Sequence, residues 1–369
     1  MSIASPASPR EDALTTFFGA WLVGGALADG WAHNNIRTLE TIFTPWHAIL
    51  YSGFIATGLW TVFLAYRRRA AHRLWWRDAW PAGYRTGLVG AVIFFFAGNL
   101  DLVWHSVFGI ETDLDALFSP THVGLAIGAG LLLTSPLRSW WAAGSTGTLR
   151  TAAGVGALVL GTTSTAVFLI YASAFQTVQP TVPYAGAQGT PGYLAASMAL
   201  TAYLVTTALL VLPLTLVLRR RAAVPGAATA LVAVVAAFAV GLLDLPRTQT
   251  VAAVAAVGGA IAVDLLLGYL DRTRGLDAPL RLPVAGAVFA AVVWSAHLLA
   301  LDLVAGVRWP VELWSGTVVM SAAVGALIGG LAARPVPAAL PGPVGGVPGP
   351  VEVREVPGRV GAPSAPAQG

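Results

Sequence analysis

Apolar runs of about twenty residues recur along most of the chain, and they restrict its fold more than any motif does. A helix of about that length crosses the hydrocarbon core of a bilayer, where the backbone must satisfy its own hydrogen bonds. Counting the runs predicts about ten spans, at roughly 13–30, 45–66, 86–106, 120–137, 151–172, 193–218, 226–243, 250–270, 282–303 and 312–333. Only 10% of the residues are charged, against about 25% in soluble domains. The expected class is therefore all-α, a polytopic integral membrane protein with about ten transmembrane helices.

Every one of the 21 basic residues is arginine. Arg67-Arg68-Arg69, then Arg73, Arg77 and Arg85, mark the loop after the second span as cytoplasmic. Alternation then places the loops near 138–150, 219–225 and 271–281 inside as well, with Arg138, Arg150, Arg219, Arg220, Arg221, Arg272, Arg274 and Arg281. The outer loops hold only Arg37, Arg247 and Arg308. Both termini are expected in the cytoplasm of a multi-pass plasma-membrane protein. The net charge of +4 reads as topology and not as nucleic-acid binding. Membrane lipids and other membrane subunits are the expected partners.

Residues 1–12 form a short polar N-terminal segment. Ala26-Leu27-Ala28 resembles a signal-peptidase site, but cleavage there would destroy the helix that carries Asp29, so an uncleaved first span is expected. Residues 13–142 are expected to form a four-helix unit and 150–333 a six-helix bundle rich in small residues. Residues 334–369 are Pro/Gly-rich without helical period and read as a disordered cytoplasmic tail.

The chemistry is concentrated in two matching stretches. Asp101 and His105 lie four apart, on one face of a helix. Ser119-Pro120 then reads as a helix start, with serine as cap and proline in the first turn, and His122 follows. Asp29 and His33 repeat the spacing, and Thr44-Pro45-Trp46-His47 repeats the start. Four of the six histidines fall in these two stretches, at the expected outer ends of the first four spans. Two histidines and a carboxylate suit copper, iron or zinc. Glu40 and Glu111 are candidate residues for orienting the imidazoles.

Other readings stay open. Polar helix ends at the membrane interface would place the same residues there, and Trp31, Trp46 and Trp104 fit an aromatic belt. A bis-histidine haem would use the histidines but leave both aspartates unexplained. His72 sits among arginines as a solvated side chain, and His297 reads as a core histidine before a ligand. Asp264, deep in a span, calls for a partner or a function. Asp244, Asp302 and Glu312 gather at outer helix ends. The absence of cysteine excludes disulfides, iron–sulfur clusters and thiolate metal sites, and three methionines are too few for a Met-rich copper(I) relay.

Asp101-Leu-Val-Trp-His105 followed by Ser119-Pro-Thr-His122 resembles the C subunit of copper-dependent membrane monooxygenases, the particulate methane and ammonia monooxygenases. That family carries Asp-x-x-Trp-His and then Thr-Pro-x-His, residues that bind metal within the membrane. Its second stretch, Asn-x-Trp-x-His followed by Pro-x-His, is similar to Asp29-Gly-Trp-Ala-His33 and Thr44-Pro-Trp-His47, with Asp29 in place of Asn. The two stretches stand in swapped order here, and the loop from His105 to His122 is longer. The resemblance covers about residues 22–130. It implies metal ligation by Asp29, His33, His47, Asp101, His105 and His122, and oxidation of a small apolar substrate with dioxygen. Copper transport or delivery, and a structural subunit stapled by a metal, are the competing expectations.

Overall fold

The computed structural model describes residues 5–36, 44–109, 114–144, 147–184, 186–220, 224–273 and 278–333, and no strand occurs among them. Glu40, Glu111 and the expected tail at 334–369 lie outside the described residues.

Ten of the described helices have fourteen residues or more. They are α1 (Pro9–Asn35), α2 (Pro45–Arg67), α3 (Tyr84–Phe108), α4 (Pro120–Leu133), α5 (Thr148–Phe168), α6 (Pro191–Arg220), α7 (Ala227–Gly241), α8 (Arg247–Thr273), α9 (Ala278–Ala305) and α10 (Val311–Ala333). Each of the ten apolar runs falls mainly on one of them, although 120–137 continues past α4 into the short helix Ser135–Ala143 and 151–172 runs past the end of α5. Seven helices are long and apolar enough to cross a membrane: α2, α3, α5, α6, α8, α9 and α10. The other three fall short for visible reasons. α4 and α7 have only 14 and 15 residues, and the apolar run of α1 is interrupted by Asp29.

The first four helices pair as two hairpins, α1 on α2 and α3 on α4. Lipid tails are as apolar as leucine, so helices in a membrane associate through close packing and small residues. Gly25 and Gly53 provide this contact in the first hairpin. A Cβ on Gly25 would lie 2.5 Å from Leu50 Cα, and one on Gly53 would lie 2.7 Å from Leu22 Cα. Gly90 and Gly128 do the same in the second, where a Cβ on Gly128 would lie 2.6 Å from the Phe94 backbone nitrogen. Gly53 follows His47 by six residues, and Gly128 follows His122 by six. The repeat therefore includes the packing glycine as well as the polar residues.

At the opposite end of α1, Asp12 is fully buried. It accepts from Tyr84 Oη at 2.8 Å, Ser139 Oγ at 3.0 Å and Arg150 Nη1 at 3.2 Å. One carboxylate thus ties α1 to α3, to α5 and to the short helix Ser135–Ala143. The largest apolar core lies in the later helices, where Trp294, Phe289, Leu231, Leu210 and Leu214 are nearly inaccessible.

Substitution at the two neighbouring glycines of α4 separates packing from propensity. Gly128→Ala places a methyl against backbone and should cost about 1–3 kcal/mol, read as a lower melting temperature in detergent. At Gly130 a Cβ would meet nothing within 4 Å, so Gly130→Ala should be neutral or stabilising by up to about 1 kcal/mol. Equal melting of the two variants would contradict the close-packing assignment.

Candidate metal centre

The two expected ligand sets both assemble. Asp29, His33 and His47 offer donor atoms that all lie within 4.8 Å of one another, and so do Asp101, His105 and His122. Helical spacing brings each aspartate to its first histidine: His105 Nε2 is 3.3 Å from Asp101 Oδ2, and His33 Nε2 is 3.9 Å from Asp29 Oδ2. The facing helix starts bring the third residue. His122 Nε2 stands 3.6 Å from Asp101 Oδ2, and His47 Nδ1 stands 3.4 Å from Asp29 Oδ1.

Both helix starts are built alike. Ser119 Oγ accepts from the His122 backbone N–H at 3.3 Å and also lies 2.9 Å from His122 Nδ1. Thr44 Oγ1 does the same for His47, at 3.1 and 2.9 Å. The cap hydroxyl satisfies an orphan N–H of the first turn and also fixes the ring of the histidine three residues on. Proline between them needs no N–H there.

The second set has its protons placed by its surroundings. His105 Nδ1 lies 3.1 Å from the Gly109 carbonyl, which can only accept, so Nδ1 carries a proton, and in the neutral ring Nε2 is then the atom with the lone pair. Gly109 adopts φ +86° and ψ 179°, a positive-φ backbone that glycine accepts without strain. Thr121 Oγ1 donates to Asp101 Oδ1 at 2.6 Å, and Ser119 Oγ lies 3.2 Å from Thr121 Oγ1. A consistent chain runs from His122 Nδ1–H to Ser119, from Ser119 to Thr121, and from Thr121 to Asp101. With both rings neutral and in this Nδ1–H tautomer, two imidazole nitrogens and a carboxylate oxygen would turn lone pairs toward one another. That donor set fits a cation.

The first set lacks this prop. Trp46 stands where the second has Thr121, and it packs edge-on against Trp31 at 5.8 Å. Asp29 Oδ1 is buried and makes no hydrogen bond among the described residues. A buried carboxylate oxygen without a donor is costly, and a metal at this point would satisfy it. Its aspartate and first histidine are also more open: the Asp29 and His33 side chains are 15% and 27% exposed, against 5% each for Asp101 and His105, while His47 at 14% is less exposed than His122 at 26%. The two sets adjoin. Asp29 feels the charges of Asp101 and His105, and His33 those of His122 and His105. Tyr51 stacks on His47 with ring centroids 6.3 Å apart and 17° between the planes.

Comparison with protein-family models, with curated proteins and with solved structures finds no match.

The remaining polar residues are engaged elsewhere. His297 is buried, with Nδ1 3.1 Å from Tyr203 Oη and with Trp294 and Phe175 around its ring. Neither it nor His72 belongs to a ligand group among the described residues. Asp264 accepts from the Ala228 and Thr229 backbone nitrogens, at 3.1 and 2.8 Å, and from Thr229 Oγ1 at 2.6 Å. It caps α7 from the neighbouring helix α8, which accounts for a carboxylate inside a span. Asp244 accepts from Trp31 Nε1 at 3.4 Å and Asp302 from the Val307 N–H at 2.9 Å. Sequence reasoning missed Thr121, the Gly109 carbonyl and Tyr51. The signal for Thr121 was a hydroxyl between the proline and the histidine of one helix start only.

Thr121→Val keeps the shape and removes the donor to Asp101. It should weaken metal binding by the second set about 10–100-fold, as loss of a ligand-orienting partner does, and leave the first set unchanged. Titration calorimetry on the variant and wild type checks this, and an unchanged second site would remove Thr121 from the centre.

Proposed function

We propose that this chain is a metal-binding integral membrane protein, with copper as the metal and iron or zinc as the alternatives. The observation that carries the reading is the double assembly of one carboxylate and two imidazoles, with donor atoms within 4.8 Å, from two sequence stretches of the same pattern. Asp29, His33 and His47 would hold one ion and Asp101, His105 and His122 another. Among the described residues each set provides three protein donors, a number that would leave a coordination position open, as in catalytic sites and unlike closed structural ones.

The catalytic form of the reading follows the resemblance of residues 22–130 to the membrane monooxygenase C subunit. Copper, when bound, supplies redox chemistry toward dioxygen. The chain's own part is to hold three donors in place, to keep the imidazoles in the ligating tautomer and to exclude water around Asp101. Transport finds less support, because Asp264 and His297, the polar residues of an inward path, are engaged in a helix cap and an aromatic core. We further infer that α1, α4 and α7 complete about ten spans. The arginine distribution then puts both termini in the cytoplasm of a plasma-membrane protein and the metal centre toward the outer face.

Metal-to-protein stoichiometry of the purified protein, with electron paramagnetic resonance, tests the reading. His105→Ala and His122→Ala each remove a ligand, so affinity of the second set should fall more than the roughly 100-fold upper range for an orienting partner. Asp101→Asn should weaken the divalent ion with the fold intact. His72→Ala should change nothing. Acidification should strip the metal, since ligating imidazoles must be neutral. Full copper retention by both alanine variants would refute ligation by the second set.

Sidedness has its own test. The chain has no cysteine, so single cysteines at Gln188 and Ala71, both exposed, can be probed with an impermeant thiol reagent. Gln188→Cys should label from outside and Ala71→Cys should not; the reverse pattern would put the metal centre on the cytoplasmic side.

A further inference from the structure

We propose that the cleft at the arginine-rich end of the bundle, between the start of α1 and the end of α2, binds the phosphate of an anionic phospholipid. The inference is independent of the metal reading. The cleft has a volume of about 760 Å³ and is lined by Arg10, Arg67, Arg68, Arg150, Trp60 and Leu14, together with Glu11 and the segment Pro6–Pro9.

Its charge is not balanced from within. Arg150 is committed, with Nη1 on Asp12 at 3.2 Å and Nη2 on the Ala7 carbonyl at 2.8 Å. Arg67 and Arg68 share one carboxylate, Glu11, at 3.3 and 2.8 Å. Arg10 is exposed and pairs with no carboxylate among the described residues. Four guanidiniums thus face two carboxylates, and Arg67, with its side chain 51% exposed, keeps donors for a ligand. A guanidinium presents a planar fork of N–H groups suited to phosphate.

The chemistry below the cleft identifies the source of that phosphate. On α1, Arg10, Leu14 and Phe17 follow one another at helical spacing along one face. On α2, Arg67, Phe63 and Trp60 do the same. Each stripe begins with a guanidinium and continues with apolar side chains: Leu14 is 42%, Phe17 61% and Phe63 45% exposed. The Arg67 guanidinium lies 5.9 Å over the Phe63 ring, so its stem follows the apolar surface while its head reaches out of it. A free phosphate would use the guanidiniums and leave both apolar stripes idle. A phospholipid would use both, its head on the arginines and its acyl chains along Leu14, Phe17 and Phe63.

The test is lipid titration of the full-length protein in detergent, read by native mass spectrometry. The probes are phosphatidylglycerol, phosphatidylcholine and inorganic phosphate. Wild type should bind one phosphatidylglycerol in preference to phosphatidylcholine, and equimolar inorganic phosphate should not displace it. One arginine facing an anionic head group is worth about fivefold, so Arg10→Gln should weaken binding about fivefold and Arg10→Gln/Arg67→Gln about twenty-five-fold. Arg10 is exposed and has no ion pair among the described residues, so the single variant keeps the fold and elutes as wild type. Arg77→Gln, at the same end but paired only with Asp78 among the described residues, should bind as wild type. Equal binding of the two lipids, or undiminished binding by the Arg10 and Arg67 variants, would overturn the proposal. Displacement by inorganic phosphate would also overturn it, because the site would then serve a soluble anion.

Discussion

The close approach of paired helices at glycine is the constraint on which the rest of this structure depends. Leucine gains nothing by leaving lipid for leucine, so the hairpins cannot be held by the hydrophobic effect that closes a soluble core. They are held by backbone-to-backbone contact at Gly25 and Gly53 in one hairpin and at Gly90 and Gly128 in the other. That contact sets how far the end of α1 lies from the start of α2, and the end of α3 from the start of α4. An aspartate on one helix then meets a histidine on the other at 3.4–3.6 Å.

The same geometry explains how carboxylates survive at these positions. Asp101 is 3% exposed; a hydroxyl donates to one of its oxygens and two imidazoles stand beside the other. Asp29, in the twin hairpin, has no hydroxyl and carries an orphan oxygen. One residue, Thr121 against Trp46, makes the difference. The pair is one device in two versions: one whose carboxylate is buried and already held by a hydroxyl, and one whose carboxylate is more open and depends more on what binds there. Asp12 and Asp264 show the structural alternative. Both are buried or half-buried carboxylates, but their oxygens are filled by protein donors, Tyr84, Ser139 and Arg150 for one and a helix N-terminus for the other. Buried charge marks a candidate site here only where the protein leaves lone pairs converging.

Charge also sorts along the molecule. The ligand sets lie at one end of α1, and Glu11, Asp12 and their arginine partners lie at the other. The helix that brings Asp29 to its histidines is thus anchored at its far end by buried ion pairs, so its position is set at both ends.

What the sequence determined by itself is what depends on neighbours along the chain. Apolar length and the scarcity of charge dictate helices, because a backbone in hydrocarbon has no other partner than itself. The four-residue step from Asp101 to His105, and the cap-proline-x-histidine order at Ser119 and Thr44, dictate which side chains share a face, because helical pitch is a local property. The span count was less legible. Among the described residues seven helices combine the length and apolar character to cross a membrane, since helix ends are set by caps and packing that hydropathy does not register. Three things were decided only by the tertiary structure: that Thr121 reaches Asp101 while Asp29 Oδ1 has no donor among the described residues, that Asp264 caps α7, and that His297 is enclosed by Tyr203, Trp294 and Phe175. Each is a contact between residues far apart in the chain, and no spacing within one helix encodes the distance between two.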